Sequence, residues 1–317
     1  MRPPSISVVV PCYNAAPFVA TTLRSVLAQE LPPTEVIVVD DGSSDGSADM
    51  VAREFPDVRL LRQVNRGAAA ARNAGVSASR GDWIAFIDAD DYWTPIKLRE
   101  QWARLQIEPG TRVAHSTFCG WWTEVPEPEP RHLAALQRRA LDDNRWRGCN
   151  GWIYTNLLLD CIVWTSTVLM QRSLFDELGG FDTGLLIGED YDLWIRASRV
   201  TPFAFLQRPH ALYRKHPSSI TSAPPADCYP ARVVQNAIAK WGYQGPDGSR
   251  AEQGKVRRAL ASRWCSYAGM NVTAGKYGRA REFGVRAIRA DWSHLPSWKV
   301  LAKAWAYPAL LRRGTVA

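Results

Sequence analysis

Between Ser5 and Leu105, short apolar runs alternate four times with segments of helical period. The runs are Ser5–Val10, Glu35–Val39, Val58–Leu61 and Asp82–Ile87, and the intervening segments are Ala16–Ala28, Ser47–Phe55, Ala68–Ser77 and Pro95–Leu105. Most of these runs are apolar nearly throughout rather than at every second residue, so both faces of each strand need cover. Four βα units in series predict a parallel sheet sandwiched between helices, and such sheets bind ligands beyond the carboxyl ends of their strands. Polar clusters stand at those ends: Cys12-Tyr13-Asn14 after the first strand, Asp40-Asp41-Gly42-Ser43 after the second, and Asp88-Ala89-Asp90-Asp91 after the fourth.

The remainder is less regular. Residues 124–130 read as a Pro/Glu loop, Arg131–Arg147 as a mixed basic stretch and Ile162–Met170 as a buried strand. Gly188–Val200 reads as a helix with acids in its first turn, where the dipole favours them. Strand-like pieces follow at Phe203–Leu206 and Ala211–Arg214, and three or four helices from Ala231 onward, parted near 242–248, 274–275 and 293–296.

With 46% hydrophobic and 22% charged residues, the composition excludes a disordered or collagenous chain. No window supplies the apolar length of a membrane span. The first apolar run is stopped by Pro11, unlike a signal peptide. These features predict a cytoplasmic protein. Six cysteines without a C-x-x-C pair predict reduced thiols rather than a disulfide framework or a zinc site. Charge is unevenly spread: residues 1–230 hold 23 Lys and Arg against 27 Asp and Glu, whereas residues 231–317 hold 16 against 4. The basic end predicts an anionic partner.

Three carboxylates in four residues, Asp88, Asp90 and Asp91, repel one another unless a cation compensates, and Mg²⁺ or Mn²⁺ suits oxygen ligands. A solvated turn ahead of Thr94-Pro95 is the other reading. Asp40–Gly46 has a calcium-loop look, but the twelfth position counted from Asp41 is Ala52 instead of a bidentate Glu. A loop that hydrogen-bonds a base or ribose, or a plain turn, remains. Arg66 and Arg72 flank the start of a small-residue helix, suited to phosphate or simply exposed. Glu189 and Asp190 open the later helix, either as dipole partners or with one as a general base.

In chain order, Val8-Val9-Val10-Pro11-Cys12-Tyr13-Asn14, Val38-Val39-Asp40-Asp41-Gly42-Ser43, Asn65-x-Gly67 with Arg72-Asn73-x-Gly75, Asp88-Ala89-Asp90-Asp91 and Glu189-Asp190-Tyr191-Asp192-Leu193-Trp194 resemble the family 2 glycosyltransferases, inverting enzymes of the GT-A fold. The resemblance covers roughly residues 5–220. It implies a GT-A nucleotide-diphospho-sugar transferase fold, Rossmann-like with a mainly parallel sheet, over residues 1–225. Within it a nucleotide-sugar half would lie at about 1–110 and an acceptor half at about 111–225, and residues 226–317 would form a basic helical extension.

By the same resemblance, Pro11, Tyr13, Asn14, Asp40 and Asp41 would hold the base and ribose of a nucleotide-sugar donor, with Arg66 and Arg72 near its phosphates. Asp88 and Asp90 would be the family's D-x-D. Asp90, Asp91 and His216, the last in a Y-R-x-H element at Tyr213–His216, would bind Mn²⁺ or Mg²⁺. Asp190 would be the catalytic base, with Glu189 as the competing choice. The acceptor would be a glycan or lipid-linked hydroxyl, met on aromatics among Trp121, Trp122, Trp146, Trp152, Tyr154 and Trp164 or not, since these could equally be core. The Q-x-x-R-W motif and membrane spans of the processive members are absent, which favours transfer of one sugar per encounter. No nucleic-acid partner is expected.

Rival readings fail on particular residues. A phosphate loop with a following Lys and a G-x-G-x-x-G turn are both missing, and Pro11-Cys12-Tyr13 stands where a dehalogenase-type phosphatase needs its nucleophilic Asp. A sugar-nucleotide-binding scaffold without catalysis is opposed by the intact Asp88, Asp90, Asp91 and Asp190. The last helix, Pro296–Arg313, sets tryptophans and cations around an apolar stripe, which fits either an anionic bilayer surface or internal packing.

Overall fold

The computed structural model describes residues 3–122, 128–129, 133–135, 138, 146, 148–216 and 226–313, with backbone alone at 122 and 307–313. The chain divides into two compact units, Met1–Ile153 with Ile162–His216, and Tyr154–Cys161 with Pro217–Ala317.

In the first unit the βα alternation appears as expected: β1 (Ile6–Cys12), α1 (Val19–Leu27), β2 (Glu35–Asp40), α2 (Ser47–Glu54), β3 (Arg59–Arg62), α3 (Ala68–Ala78), β4 (Trp83–Phe86), β5 (Tyr92–Trp93) and α4 (Lys97–Ile107). The unit continues with β6 (Val113–Trp122), β7 (Leu169–Gln171), α6 (Arg172–Leu178), α7 (Glu189–Ala197) and β8 (Phe203–Lys215). The strands form one mixed sheet in the order β3-β2-β1-β4-β7-β6-β8-β5. Its first half is parallel, β7 runs antiparallel to both β4 and β6, and β6 and β8 are again parallel.

Successive side chains of β1 and β2 leave on opposite faces, and both faces are covered. Ile6, Val8, Val10, Val36 and Val38 pack with Val19, Leu23 and Val26 of α1, while Ile37 and Val39 pack with Ala71 of α3. Gly75 allows that second layer: a methyl there would overlap Val9 Cγ1 and meet Val39 Cγ2 at 3.2 Å. Pro11 sits in β1 without disrupting the sheet. It pairs with Val39 of β2, whereas the β4 side of the ladder stops at Val9, so its missing N–H leaves no partner stranded.

Several elements depart from expectation. β6 and α6 have no counterpart in the sequence reading, and the pieces expected at Phe203–Leu206 and Ala211–Arg214 are one continuous strand, β8. The segment read as a buried strand is mostly something else. Ile162–Met170 is not a strand; Thr165–Thr167 makes a single 3₁₀ turn and only Leu169–Gln171 joins the sheet. The hydroxyls explain it: Ser and Thr bond neighbouring groups instead of a ladder, and here they reach across to carboxylates. The expected loop at 124–130 and basic stretch at 131–147 lie almost entirely outside the described residues.

The second unit contains α5 (Tyr154–Leu157), α8 (Tyr229–Trp241), α9 (Gln253–Thr273), α10 (Tyr277–Ala290) and α11 (Leu295–Arg313). Val256, Leu260, Ala261, Trp264, Ala268, Ala280, Phe283, Ala287, Val300 and Ala304 are among its buried side chains on the last three helices. Tyr154 donates its hydroxyl to Gly242 O at 2.7 Å, and Arg263 donates to Leu159 O at 2.8 Å. All six cysteines are free thiols. Among the described residues no helix is long and apolar enough to cross a membrane.

Candidate active site

The ends of β1 and β2 are laced together by polar side chains. Ser43 Oγ accepts the Asn14 N–H, Asn14 Oδ1 accepts the Ser44 N–H, Ser47 Oγ accepts the Ala15 N–H and Asp45 accepts the Ala16 N–H, each at 2.9 Å. Asn14 holds φ of 48°, a left-handed conformation that Asn tolerates. Tyr13 beside it is 55% exposed, free to stack on a planar ligand. Asp41 is buried and accepts from Gln63 Nε2 at 2.7 Å, the Arg66 N–H at 2.9 Å and the Gly67 N–H at 2.8 Å. It therefore fixes the loop that enters α3. Asp40 is buried, and its carboxylate takes long contacts of 3.4 Å from the Ser43 N–H. Arg66 leaves its side chain exposed.

Beyond β4 the chain turns sharply, with the Asp91 N–H donating to Asp88 O at 3.0 Å. The three carboxylates then part company. Asp88 receives Arg72 Nη2 at 2.6 Å. Asp90 lies 2.9 Å from His216 Nε2, at the end of β8. Asp91 is buried; its oxygens accept from Ser166 Oγ and from the Arg214 N–H, the latter at 3.2 Å. Burial, then the charges of Asp90 and Asp88, push the Asp91 carboxyl well above its usual range. Arg214 is buried over the Trp121 ring and donates Nε–H to Asp90 O at 2.9 Å, bracing the turn from β8.

Arg72, in mid-α3, is the hub of a buried ion-pair network. Its Nη1 donates to Glu189 Oε1 at 2.7 Å while Nη2 holds Asp88. Burial by itself would favour the neutral guanidine, but Asp88 and Glu189 reverse the balance and hold its pKa above the ordinary value. Burial pushes Asp88 and Glu189 upward against the pull of Arg72. Asn73 pins the approach to α7, donating to Phe181 O at 2.8 Å and accepting the Phe181 N–H at 2.9 Å. Gly188, at φ 83°, turns the chain into the first residue of α7. There Asp190 stays partly exposed and accepts Thr165 Oγ1–H at 2.8 Å.

The R-N-x-G sequence is thus read in space as three jobs: Arg72 balances carboxylates, Asn73 holds a loop, and Gly75 seats the helix. Thr165 and Ser166 escaped the sequence reading. Adjacent hydroxyls, they hold Asp190 and Asp91 respectively, and Ser166 Oγ also accepts the Asp88 N–H at 3.1 Å. The signal was a Thr-Ser-Thr run inside an otherwise apolar segment. Among the aromatics considered for an acceptor, Trp121, Trp146 and Tyr154 are buried, whereas Trp152 and Trp164 are partly exposed.

The expected metal trio is not assembled. Among the described residues no three His, Cys, Asp or Glu side chains converge on one point, and Asp91 has both oxygens engaged by the chain. Asp90 and His216 remain as a carboxylate–imidazole pair, a donor set that fits Mn²⁺ or Mg²⁺ when a ligand's phosphate oxygens complete the shell.

The model of the "Glycosyl transferase family 2" family matches residues 7–151. The chain is 28% identical over 264 residues to an uncharacterized glycosyltransferase, EpsJ, of Bacillus subtilis, covering 78% of this chain and 73% of that protein. It is 34% identical over 195 residues to the succinoglycan biosynthesis protein ExoO of Rhizobium meliloti, covering 60% and 54%. The match to the uncharacterized Escherichia coli glycosyltransferase YibD spans 45% of its length, so the chain spans about half of two of these three relatives. Residues 1–349 of S. aureus TarS in complex with UDP-GlcNAc share the fold at TM-score 0.60 and 17% identity, over 96% of this chain and 92% of theirs. The mannosyltransferase PcManGT of Pyrobaculum calidifontis, in complex with GDP-Man and Mn²⁺, does so at 0.52 and 20%, over 96% and 87%.

Proposed function

We propose that this chain, which belongs to glycosyl transferase family 2, moves one sugar from a nucleoside-diphospho-sugar to a hydroxyl of a glycan or lipid-linked acceptor. The observation that carries the reading is Asp190: partly exposed at the first turn of α7, held by Thr165, and joined to the Asp88–Asp91 turn through Arg72 and the Thr165-Ser166 pair. Residues 1–225 are assigned to this chemistry and 226–317 to a basic extension.

Tyr13 is assigned to the base, with Pro11, Asp40 and Asp41 lining the base and ribose, and Arg66 faces the phosphates. Asp90 and His216 would hold Mn²⁺ or Mg²⁺, which when bound supplies Lewis acidity to the departing diphosphate. Asp190 accepts the proton of the acceptor hydroxyl as its oxygen bonds to the anomeric carbon. The bond from that carbon to the diphosphate oxygen breaks with its electron pair, leaving nucleoside diphosphate. A single displacement inverts the anomeric configuration and needs no covalent glycosyl-enzyme. Glu189 is the poorer candidate for the base, because it is buried away from an acceptor and its carboxylate is already engaged by Arg72.

UDP-sugars are the donors to test first, since TarS is in complex with UDP-GlcNAc, and GDP-mannose follows from PcManGT. ExoO's name directs the acceptor screen toward polysaccharide intermediates. Thermal-shift screening of donors with Mn²⁺, followed by proton NMR of the first product, tests the proposal. A product with the donor's own anomeric configuration overturns the single displacement.

A further inference from the structure

The second unit carries a cluster of large apolar side chains facing solvent. Trp292 is 78% exposed, Leu295 69%, Trp298 49% and Trp305 62%. At 100° per residue, Leu295, Trp298 and Trp305 fall on one stripe of α11, while Ser297, Val300 and Ala304, all buried, occupy another. The helix thus packs inward with its small residues and presents indoles outward. Lys299 and Lys303 border the indole stripe, and the Arg281 guanidinium lies 4.2 Å from the centroid of the Trp305 ring. Trp298 Nε1 donates to Trp292 O at 2.8 Å, so the turn 291–294 and the helix form one patch.

Next to that turn is a recess lined by Gly254, Lys255, Arg257 and Arg258 of α9 together with Asp291 and Ser293, the residues on either side of Trp292. Three cations outweigh the single lining carboxylate of Asp291, although Lys255 also pairs with Glu252 at 2.6 Å. With an exposed indole at the rim they match a phosphate headgroup on one side and an acyl boundary on the other. The charge of the segment agrees, since residues 231–317 hold 16 Lys and Arg against 4 Asp and Glu.

We propose that this face docks on an anionic phospholipid surface, with a lipid phosphate in the recess and Trp292, Leu295, Trp298 and Trp305 at the headgroup level. The proposal stands on the second unit alone and is read without any transfer assay.

The test is co-sedimentation of the full chain with vesicles of phosphatidylcholine and with vesicles of equimolar phosphatidylcholine and phosphatidylglycerol. Binding is expected only with the anionic vesicles and should weaken as salt rises. Replacing Lys255, Arg257 and Arg258 together by Ser should lower the affinity about a hundredfold, at about fivefold per cation. Trp292→Ser with Trp298→Ser should cause a comparable loss, with circular dichroism melting checking that both variants fold. No sedimentation, sedimentation indifferent to lipid charge, or binding that survives both variants overturns it. So does stabilisation by inorganic phosphate without vesicle binding, or a dimer in sedimentation velocity that Trp298→Ser dissociates while vesicles stay unbound.

Discussion

At the scale of single residues, Glu189 and Asp190 are neighbours with opposite circumstances. Glu189 is buried against Arg72; Asp190 is partly exposed and receives one hydroxyl. Asp190→Asn is expected to lower kcat by about 10²–10⁴-fold with donor affinity unchanged, because the amide keeps the shape but takes no proton. Glu189→Gln should act on folding instead, leaving Arg72 with one buried partner fewer. Breaking a buried pair costs about 3–5 kcal/mol, and denaturant melting reads it. Chelation of divalent metal should abolish turnover, and Mn²⁺ should restore it in the wild type. Asp90→Ala or His216→Ala should raise the Mn²⁺ concentration needed, measured by titrating the metal back at fixed donor.

Buried histidines make a second residue-level case. Burial lowers the pKa of His115 to about 4 and of His210 to about 3. Each stays neutral in the folded chain while the unfolded chain takes a proton near 6.5. Stability is therefore full above pH 6.5 and falls as the pH drops toward 4, by about 3 kcal/mol for His115 alone. His115→Gln should flatten the acid limb of a melting-temperature profile, since the amide can still donate to Cys149 O, the present partner at 2.8 Å. An unchanged limb would place the acid sensitivity elsewhere.

Elements decide how these residues meet. Helix α3 brings Arg72 to two carboxylates only because Gly75 lets it settle on β1 and β2. Gly75→Ala is expected to destabilise the protein by about 1–3 kcal/mol through overpacking against Val9, and to lower activity by shifting Arg72. The melting temperature and kcat should fall together. The 3₁₀ turn Thr165–Thr167 is the other such element, because the hydroxyls of Thr165 and Ser166 tie the α7 terminus to the β4 exit.

For the whole molecule, the second unit is more than a tail of helices. Residues 154–161 leave the first unit to join it, and Tyr154, Leu157 and Leu158 are fully buried. A chain cut after His216 should expose these side chains and Arg263's acceptor at Leu159, and so aggregate or melt early. Size-exclusion chromatography and a melt of the truncated chain measure this. A well-behaved monomer melting like the full chain would show that 154–161 need no cover.

Much was written locally in the sequence. Continuous apolar runs spaced by helical periods can be satisfied only by a covered sheet, and the polar residues following those runs must then stand at its carboxyl edge. That reasoning reached β1 to β4, α1 to α4, and the placement of Tyr13, Asp40, Asp88 and Asp90. Partners distant in the chain were beyond it. Arg72 reads as a phosphate ligand, and period and composition say nothing about which buried anion it also meets, here Glu189, 117 positions later. Asp91 reads as a metal ligand from its cluster, and nothing local says that Ser166 and Arg214 engage its oxygens. Local pattern sets the elements and which face each one buries. Which charge ends up compensated, and which is left to do chemistry, depends on side chains that only tertiary packing brings within hydrogen-bonding distance.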